Sequence, residues 1–154
     1  TLVLVKPFVL EEGDAMLEAS PSAAFSVAYT ISFDHPAIGT QTVDVEPDPD
    51  VFRREIAPVR TFGFLRDLPD LRSRGLARGG SFANAVVLDE TSVLNGPLRF
   101  PDEFVRHKVL DLLGDLFLLG VPVRGRFLAR RAGHGLHLRA VRFILDHPDV
   151  WVWE

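Results

Sequence analysis

Residues 25–33 alternate between large apolar and small side chains along their whole length, in the order FSVAYTISF. The large apolar positions are Phe25, Val27, Tyr29, Ile31 and Phe33. A period of two residues is that of a β-strand with one face buried and the other facing outward. The chain is therefore predicted to build a sheet with one covered face, and its other elements must supply the cover.

Further strands are predicted at residues 2–10, in AMLEA after a turn at Glu12–Asp14, in QTVDV, in NAVVL and in VRGRFLARR. Helices are predicted at PDPDVFRREIAPV, around Pro69–Arg74, from about Asp102 to Leu119, and at LHLRAVRFILDH. Pro58 limits the first helix, and Gly120 with Pro122 stops the third. Strands and helices mix without regular βαβ alternation, which predicts an α+β domain with an antiparallel-rich sheet packed against helices.

Composition narrows the classes of function. A net charge of −4 leaves no basic excess to meet nucleic-acid phosphates. The chain has no cysteine, which excludes disulfides and leaves His and carboxylates as the metal ligands. No apolar run approaches the roughly 20 residues of a membrane span and no signal peptide is visible, so we expect a cytoplasmic location by default. Because the chain starts at Thr1 with a strand and ends in VWVWE, we expect a piece of a longer protein.

The helix predicted at 102–119 contains FVRHKVLDLLGDL, in which His107, Asp111 and Asp115 are spaced four apart. At about 100° per residue they fall on a stripe roughly 80° wide, opposite an apolar stripe. One interpretation is the ordinary polar face of a surface helix. The other is a partial metal site, although one His and one Asp supply two ligands where a catalytic zinc needs about three plus water.

Three other features leave alternatives open. His134 lies between two glycines in AGHG, as either a general acid on a turn or a plain surface residue. Gly114 indicates either close approach of a bulky group to the polar face or a contact between elements. If residues 62–64 are extended, the side chains of Phe62 and Phe64 point to the same face of the strand. Such a pair suits either packing in the core or contact with a ligand.

The glycine-rich segment GLARGGSF is not a phosphate-binding loop, because it lacks the Lys-Ser/Thr that such a loop requires. It favours a tight turn instead.

Several segments occur in an order that resembles one known family. They are FDHPAIG, RTFGFLRD, SRGLARGGSFANAVVLDE, VLNGPLRFPDEFVRHKVLDLLGDLFLLG and AGH. Together they resemble the second domain of the UDP-3-O-acyl-N-acetylglucosamine deacetylases of lipid A biosynthesis. The resemblance runs over residues 1–154 and is densest from Phe33 to His134. It implies a C-terminal domain that is one of two similar α+β domains, with a small βαβ-like insert at about residues 61–88 and the N-terminal domain absent.

The resemblance also implies a zinc-dependent amidohydrolase of Gram-negative bacteria, which removes acetate from a UDP-linked acyl glucosamine. His107 and Asp111 match two of the Zn²⁺ ligands. His134 resembles the general acid for the leaving amine, and Asp115 the carboxylate that supports it. Two further residues match the catalytic set: Thr61 as the hydroxyl beside the oxyanion and Lys108 near the substrate phosphates.

The substrate contacts implied by the resemblance fall in two groups. Phe33 and Phe64 resemble uridine contacts, and Phe62 is placed with them as substrate-binding. The insert would line a passage for the acyl chain, with these candidate residues: Leu68, Ala77, Gly80, Ser81, Ala85 and Val87.

In the family the third zinc-binding histidine and the general-base glutamate come from the first domain, and no segment here matches them. His35 belongs to the FDHPAIG motif, and His137 and His147 are interpreted as surface residues of the final helix. Ala15 replaces a common polar ribose contact. We therefore expect weak zinc binding and negligible deacetylation by the isolated chain, with the N-terminal domain as its partner in an enzyme that is monomeric when complete. The alternative is a non-catalytic module that binds a UDP-sugar or an acyl chain.

Overall fold

The structure, a computed structural model, describes all 154 residues. Five strands form the main sheet, in the spatial order β2 (Phe8–Glu12), β3 (Ala15–Ser20), β9 (Arg126–Arg130), β4 (Ser26–Ser32) and β5 (Thr40–Val45). Of its four pairings only that between β4 and β9 is parallel. The predicted antiparallel-rich sheet of an α+β domain is confirmed.

Strand β4 is the alternating stretch from which the fold was predicted. Val27, Tyr29 and Ile31 are buried on its inner face. On its outer face Thr30 and Ser32 share hydroxyl hydrogen bonds with Thr42 and Thr40 of β5, each 3.0 Å long. The period of two therefore predicted both the strand and its orientation.

Two long helices, α3 (Glu103–Leu116) and α4 (His134–Asp146), pack against each other and cover the inner face of the main sheet. A 3₁₀ turn, Phe117–Leu119, extends α3, and Gly120 ends it in the left-handed conformation at φ 73°. A shorter helical segment comprises α1 (Pro49–Val51) and a π-helical turn at Phe52–Ile56, with the Asp48 carboxylate accepting hydrogen bonds at its N-terminus. None of these helices combines the length and the apolar character that a membrane-spanning helix requires.

The insert is a parallel βαβ unit, as predicted. Strand β6 (Thr61–Phe64) leads through a 3₁₀ turn, Leu65–Asp67, into α2 (Leu68–Ser73), and β7 (Ala85–Leu88) returns beside β6. The register pairs Thr61 with Ala85 and Phe64 with Leu88. Strand β6 contacts α3, with Phe62 against Phe104 and His107.

Two predicted strands were wrong in extent. Residues 2–10 form β1 (Leu2–Leu4) and β2, which are separated at Pro7 and lie in different sheets. Residues 123–131 likewise divide into β8 (Val123–Arg124) and β9 at Gly125. A Cβ on Gly125 would lie 2.6 Å from Leu4 Cδ1, so only glycine lets the chain pass between the sheets here. The second sheet has the order β10 (Trp151–Trp153), β1, β8.

Candidate active site

The polar stripe of α3 is present as predicted. The side chains of His107, Asp111 and Asp115 are 15%, 14% and 15% exposed, so they are largely shielded from solvent. His107 Nε2 lies 3.6 Å from Asp111 Oδ1, and Lys108 Nζ donates to Asp111 Oδ2 over 2.7 Å. The helical spacing of three and four residues brings these groups to one point on the helix surface.

The His107–Asp111 pair fits two ligands of a tetrahedral metal ion. Bonds of about 2.0–2.1 Å place two ligand atoms about 3.4 Å apart, close to the separation found here. Nδ1 of His107 is buried without a hydrogen-bond partner, and Nε2 is too far from Asp111 for a hydrogen bond. Burial lowers the pKa of His107, which favours the neutral imidazole that a metal requires.

Asp115 does not belong to this pair but binds two imidazoles. Its Oδ2 lies 2.7 Å from His134 Nδ1 and 2.8 Å from His137 Nδ1. The prediction that His134 lies on a turn was wrong, because it is the first residue of α4. Asp115 does contact it. The prediction of His137 as a surface residue was also wrong, because its side chain is fully buried against α3. His147, at the end of α4, is exposed as predicted.

Asp115, His134 and His137 could also be considered as metal ligands, since one ligand atom from each lies within 4.8 Å of the others. The distances from the Asp115 oxygen to both imidazoles are those of hydrogen bonds, and are shorter than the separation of two atoms on one zinc ion. The three residues therefore form a hydrogen-bonded relay, next to a separate pair that suits a metal.

Thr61 starts β6, directly after a buried ion pair. The Glu103 side chain is fully buried, and it accepts hydrogen bonds from the Arg60 backbone and guanidinium and from the Arg99 backbone. Because Glu103 lies one turn before His107 on α3, this ion pair holds the strand that carries Thr61 against the helix that carries His107. We call Arg60 and Glu103 the clamp.

The three predicted substrate aromatics lie together. The Phe62 ring is edge-on to Phe33 at 5.6 Å and to His107 at 6.1 Å between centroids. Phe33 is also 6.3 Å from Phe64. Phe62 additionally packs on buried Phe104, so part of its role is to support the core. Members of this cluster line two cavities, Phe62 and Phe64 the larger and Phe33 the smaller.

The larger cavity has a volume of about 750 Å³ and is bounded by the insert. All six residues predicted to line an acyl passage line it: Leu68, Ala77, Gly80, Ser81, Ala85 and Val87. Thr61, Phe62 and Phe64 border it as well. Sequence reasoning missed several apolar walls, among them Leu71, Phe82 and Leu94. Phe82 is 66% exposed, an unusual degree for phenylalanine, and marks an apolar rim.

The smaller cavity, about 360 Å³, has a different character. Phe33, Asp34, Lys108 and Arg131 are among its lining residues. Arg131 was not predicted; it has a φ of 51° and stands three residues before His134. Arg131 is a second cation that lines this cavity with Lys108, and its guanidinium lies 3.9 Å from the Asp14 carboxylate. His35 is buried nearby, but it is committed to the backbone of Asp89 and Ala37.

Gly114 was expected to accommodate a close neighbour. The structure contradicts this within the chain, because a Cβ built there meets no atom within 4 Å. The glycine is exposed, and the strongly exposed Phe117 and Leu118 follow it at the end of α3.

Comparison with known proteins shows the relationships of the chain. The family model described as UDP-3-O-acyl N-acetylglycosamine deacetylase matches residues 1–146. Relatives named UDP-3-O-acyl-N-acetylglucosamine deacetylase include those of Phenylobacterium zucineum, 51% identical over 96% of this chain and 51% of the relative, and Oleidesulfovibrio alaskensis, 49% identical over 96% and 48%. That of Myxococcus xanthus is 46% identical over 97% and 48%. The chain thus spans about half the length of these relatives.

Proposed function

The chain belongs to the UDP-3-O-acyl N-acetylglycosamine deacetylase family, and from this we propose that it supplies the substrate-binding half of a zinc-dependent deacetylase of lipid A biosynthesis. One observation carries the proposal. The same face of α3 presents a pair that fits a metal, His107 with Asp111, and one helical turn later the carboxylate of Asp115 bound to His134. A hydrolase that cleaves an amide needs these two functions side by side.

His107 and Asp111 would hold two positions on a zinc ion. Such an ion would polarise the acetyl carbonyl and acidify a water molecule enough for it to attack near neutral pH. The remaining protein ligand and the general base would come from the half of the enzyme that this chain does not span. This division explains why the chain alone is expected to bind zinc weakly.

His134 is suited to protonate the amine as the amide C–N bond breaks. Asp115 holds its Nδ1, which leaves Nε2 free, and Nε2 is 3.9 Å from Asp111 Oδ2 at the proposed metal pair. The donor would be the imidazolium form of His134, which carries a proton on both nitrogens; giving up the Nε2 proton next to the reacting centre would leave the neutral ring with its proton on Nδ1. The overall change converts the amide and one water into a free amine and acetate. The Thr61 hydroxyl would steady the developing oxyanion, and the clamp fixes its strand.

The two cavities match the two ends of the proposed substrate. The larger cavity is mostly apolar and of a size that accepts a small molecule or a lipid chain, so it would take the acyl group. Lys108 and Arg131 would face the two phosphates of UDP from the smaller cavity, and Phe33 beside them offers an aromatic surface for the uracil ring.

The half of the relatives that this chain does not span would cover exposed apolar side chains of the helices. Phe117 is 83% exposed and Leu118 64%, while Leu138 and Leu145 of α4 are 44% and 57% exposed. Open space around Gly114 on α3 would allow a second backbone to approach closely. Because the relatives are about twice as long as this chain, their additional half is the occupant we propose. A cytoplasmic location and a monomeric complete enzyme remain predictions.

The alternative function is a module that binds a UDP-sugar or an acyl chain without cleaving it. Both hypotheses use the cavities, but only the enzyme needs Asp115 to orient His134. The test is acetate release from UDP-3-O-acyl-N-acetylglucosamine, by the chain alone and by the chain fused to the half of the Phenylobacterium zucineum relative that it does not span.

We expect turnover by the fusion and a loss of at least about a hundredfold in kcat on His134→Gln. His147→Gln, at the exposed histidine on the same helix, is the matched control and should keep full activity. A folded fusion that binds substrate and releases no acetate would support the binding module instead.

A further inference from the structure

His137 forms the inner end of a continuous chain of polar contacts. Its ring is fully buried, with Nδ1 2.8 Å from Asp115 Oδ2 and Nε2 2.9 Å from the Tyr29 hydroxyl. That hydroxyl is also 2.8 Å from the carbonyl oxygen of Ala132. The contacts therefore run from the backbone just before α4, through strand β4 and His137, to the carboxylate on α3.

The protons in this chain can be assigned. Asp115 as a carboxylate only accepts, so both imidazoles that face it carry a proton on Nδ1. Burial lowers the pKa of His137, which favours its neutral form with Nε2 as an acceptor. The Tyr29 hydroxyl then has one proton for two acceptors, Nε2 and the carbonyl oxygen of Ala132, so only one of these two contacts is a hydrogen bond at a time. Both imidazoles donate to Asp115 in this arrangement without a second charge on His137.

The two histidines bound to Asp115 differ in how firmly they are held. The His134 side chain is 62% exposed, and its one hydrogen bond goes to Asp115. The His137 side chain is 0% exposed and is fixed at both ring nitrogens. The carboxylate is therefore anchored from the buried side, and its orientation determines where the exposed ring of His134 points.

We propose that His137 is a positioning residue, which acts by fixing the Asp115 carboxylate so that His134 keeps its proton on Nδ1 and directs Nε2 toward the metal pair. The inference rests on the proposed function for its consequence in catalysis, whereas the geometry of the relay stands on the contacts above. His137 does not face substrate or metal, and acts only through Asp115. This role differs from a packing role, because it depends on the Nδ1–H donor of His137 and not on the volume of its ring.

The test distinguishes the effect of losing the Nδ1–H donor of His137 from the effect of losing the volume of its ring. In His137→Phe the ring volume is kept and the donor is lost. In His137→Asn the amide NH₂ occupies the place of Nδ1, so the donor is kept although volume and the Tyr29 contact are lost. Long-range ¹H–¹⁵N NMR of the histidine side chains reports which nitrogen of His134 carries the proton, and needs neither zinc nor substrate.

We expect neutral His134 to be the Nδ1–H tautomer in the unsubstituted chain and in His137→Asn, and to shift toward Nε2–H in His137→Phe. In the fusion described above, His137→Phe should lower kcat about tenfold to a hundredfold with little change in KM, and His137→Asn should restore most of it. His35→Asn, at a buried histidine away from Asp115, controls for loss of a buried ring.

An unchanged His134 tautomer in a folded His137→Phe chain would overturn the proposal, as would equal effects of Phe and Asn. If the fusion releases no acetate while the NMR result is as expected, the positioning role stands and the proposed function fails. The two failures are therefore distinguishable.

Discussion

Replacing Glu103 by Gln should remove most of what the clamp contributes to stability. Oε1 of Glu103 accepts from Arg60 N and Nε at 2.9 and 3.0 Å, and Oε2 from Arg60 Nη2 and Arg99 N at 3.0 and 2.7 Å. Whichever oxygen becomes an amide NH₂, two N–H donors lose their acceptor. The Arg60 charge, with its side chain 8% exposed, also loses its counter-charge.

Breaking a buried ion pair from one side destabilises a protein by about 3–5 kcal/mol, because the remaining charge stays buried. For a domain of this size, this corresponds to a fall in Tm of roughly 6–20 °C. The matched control is Glu55→Gln. Glu55 accepts from Arg106 over 3.0 Å, but its side chain is 39% exposed, so its loss should be less than about 1 kcal/mol.

The stability difference between the unsubstituted chain and Glu103→Gln depends on pH, in a direction set by the shift in the pKa of Glu103. Burial alone would raise this pKa, but the hydrogen bonds from Arg60 and Arg99 outweigh it and hold the pKa below its ordinary value of 4.5. In acid the unfolded chain therefore takes up the proton first. The stabilisation is complete above about pH 4.5 and is lost as pH falls through the folded pKa.

Urea unfolding of both variants at pH 7 and at decreasing pH is the assay. We expect the gap between the unsubstituted chain and Glu103→Gln to narrow below about pH 4.5, while Glu55→Gln stays close to the unsubstituted chain throughout. Equal stabilities of the two variants at pH 7, or a gap that widens in acid, would refute the reasoning about the clamp.

The remaining predictions can be checked with single variants. Gly125→Ala should destabilise the chain by about 1–3 kcal/mol, because the new Cβ overlaps its neighbours. Gly114→Ala should stabilise the isolated chain by about 0.5–1 kcal/mol, because the Cβ meets no neighbour and glycine is unfavourable inside a helix. Urea unfolding measures both changes. Ala85→Phe should occupy part of the larger cavity and weaken binding of a fluorescent long-chain fatty acid on the order of a hundredfold, if four methylenes at about 0.8 kcal/mol each are displaced. Arg131→Gln should weaken UDP binding in calorimetry at least about fivefold, and Arg130→Gln, outside the cavity, should not.

Each of these has an outcome that would contradict it. A Gly125→Ala chain as stable as the original would mean that β8 and β9 do not pass Leu4 as closely as described. Unchanged fatty-acid binding in Ala85→Phe would place the apolar ligand elsewhere, and Leu145→Phe at an exposed site of α4 serves as its control. UDP affinity that falls equally in both arginine variants would indicate a general charge effect.

The elements that could be predicted from the sequence are those that show a regular pattern over a short run of residues. The alternation around Tyr29 gave β4 and its buried face, and the fourfold spacing after His107 gave the polar stripe of α3. The divisions at Pro7 and Gly125 could not be predicted from periodicity, because they depend on which sheet each segment joins. That choice is made by contacts between distant parts of the chain, such as Leu4 against Gly125.

The site was predicted from resemblance in most of its residues, yet His137 was missed although a signal existed. His137, Ala140, Val141 and Ile144 follow the spacing i, i+3, i+4, i+7 of one buried helix face. A histidine on that face must find polar partners inside, and Tyr29 and Asp115 supply them. Arg131 carried no such signal, because it has a left-handed backbone that arginine rarely adopts and that no sequence pattern indicates.

The central claim is that one face of α3 provides part of a zinc site at His107 and Asp111, separate from the relay of Asp115. The most direct measurement is zinc affinity by chelator competition in the fusion with the missing half of the Phenylobacterium zucineum relative. The claim predicts one zinc ion per chain, weakened at least about tenfold by His107→Ala or Asp111→Ala and unchanged by His137→Asn. Affinity that survives loss of His107 and Asp111 but falls with the relay histidines would contradict it.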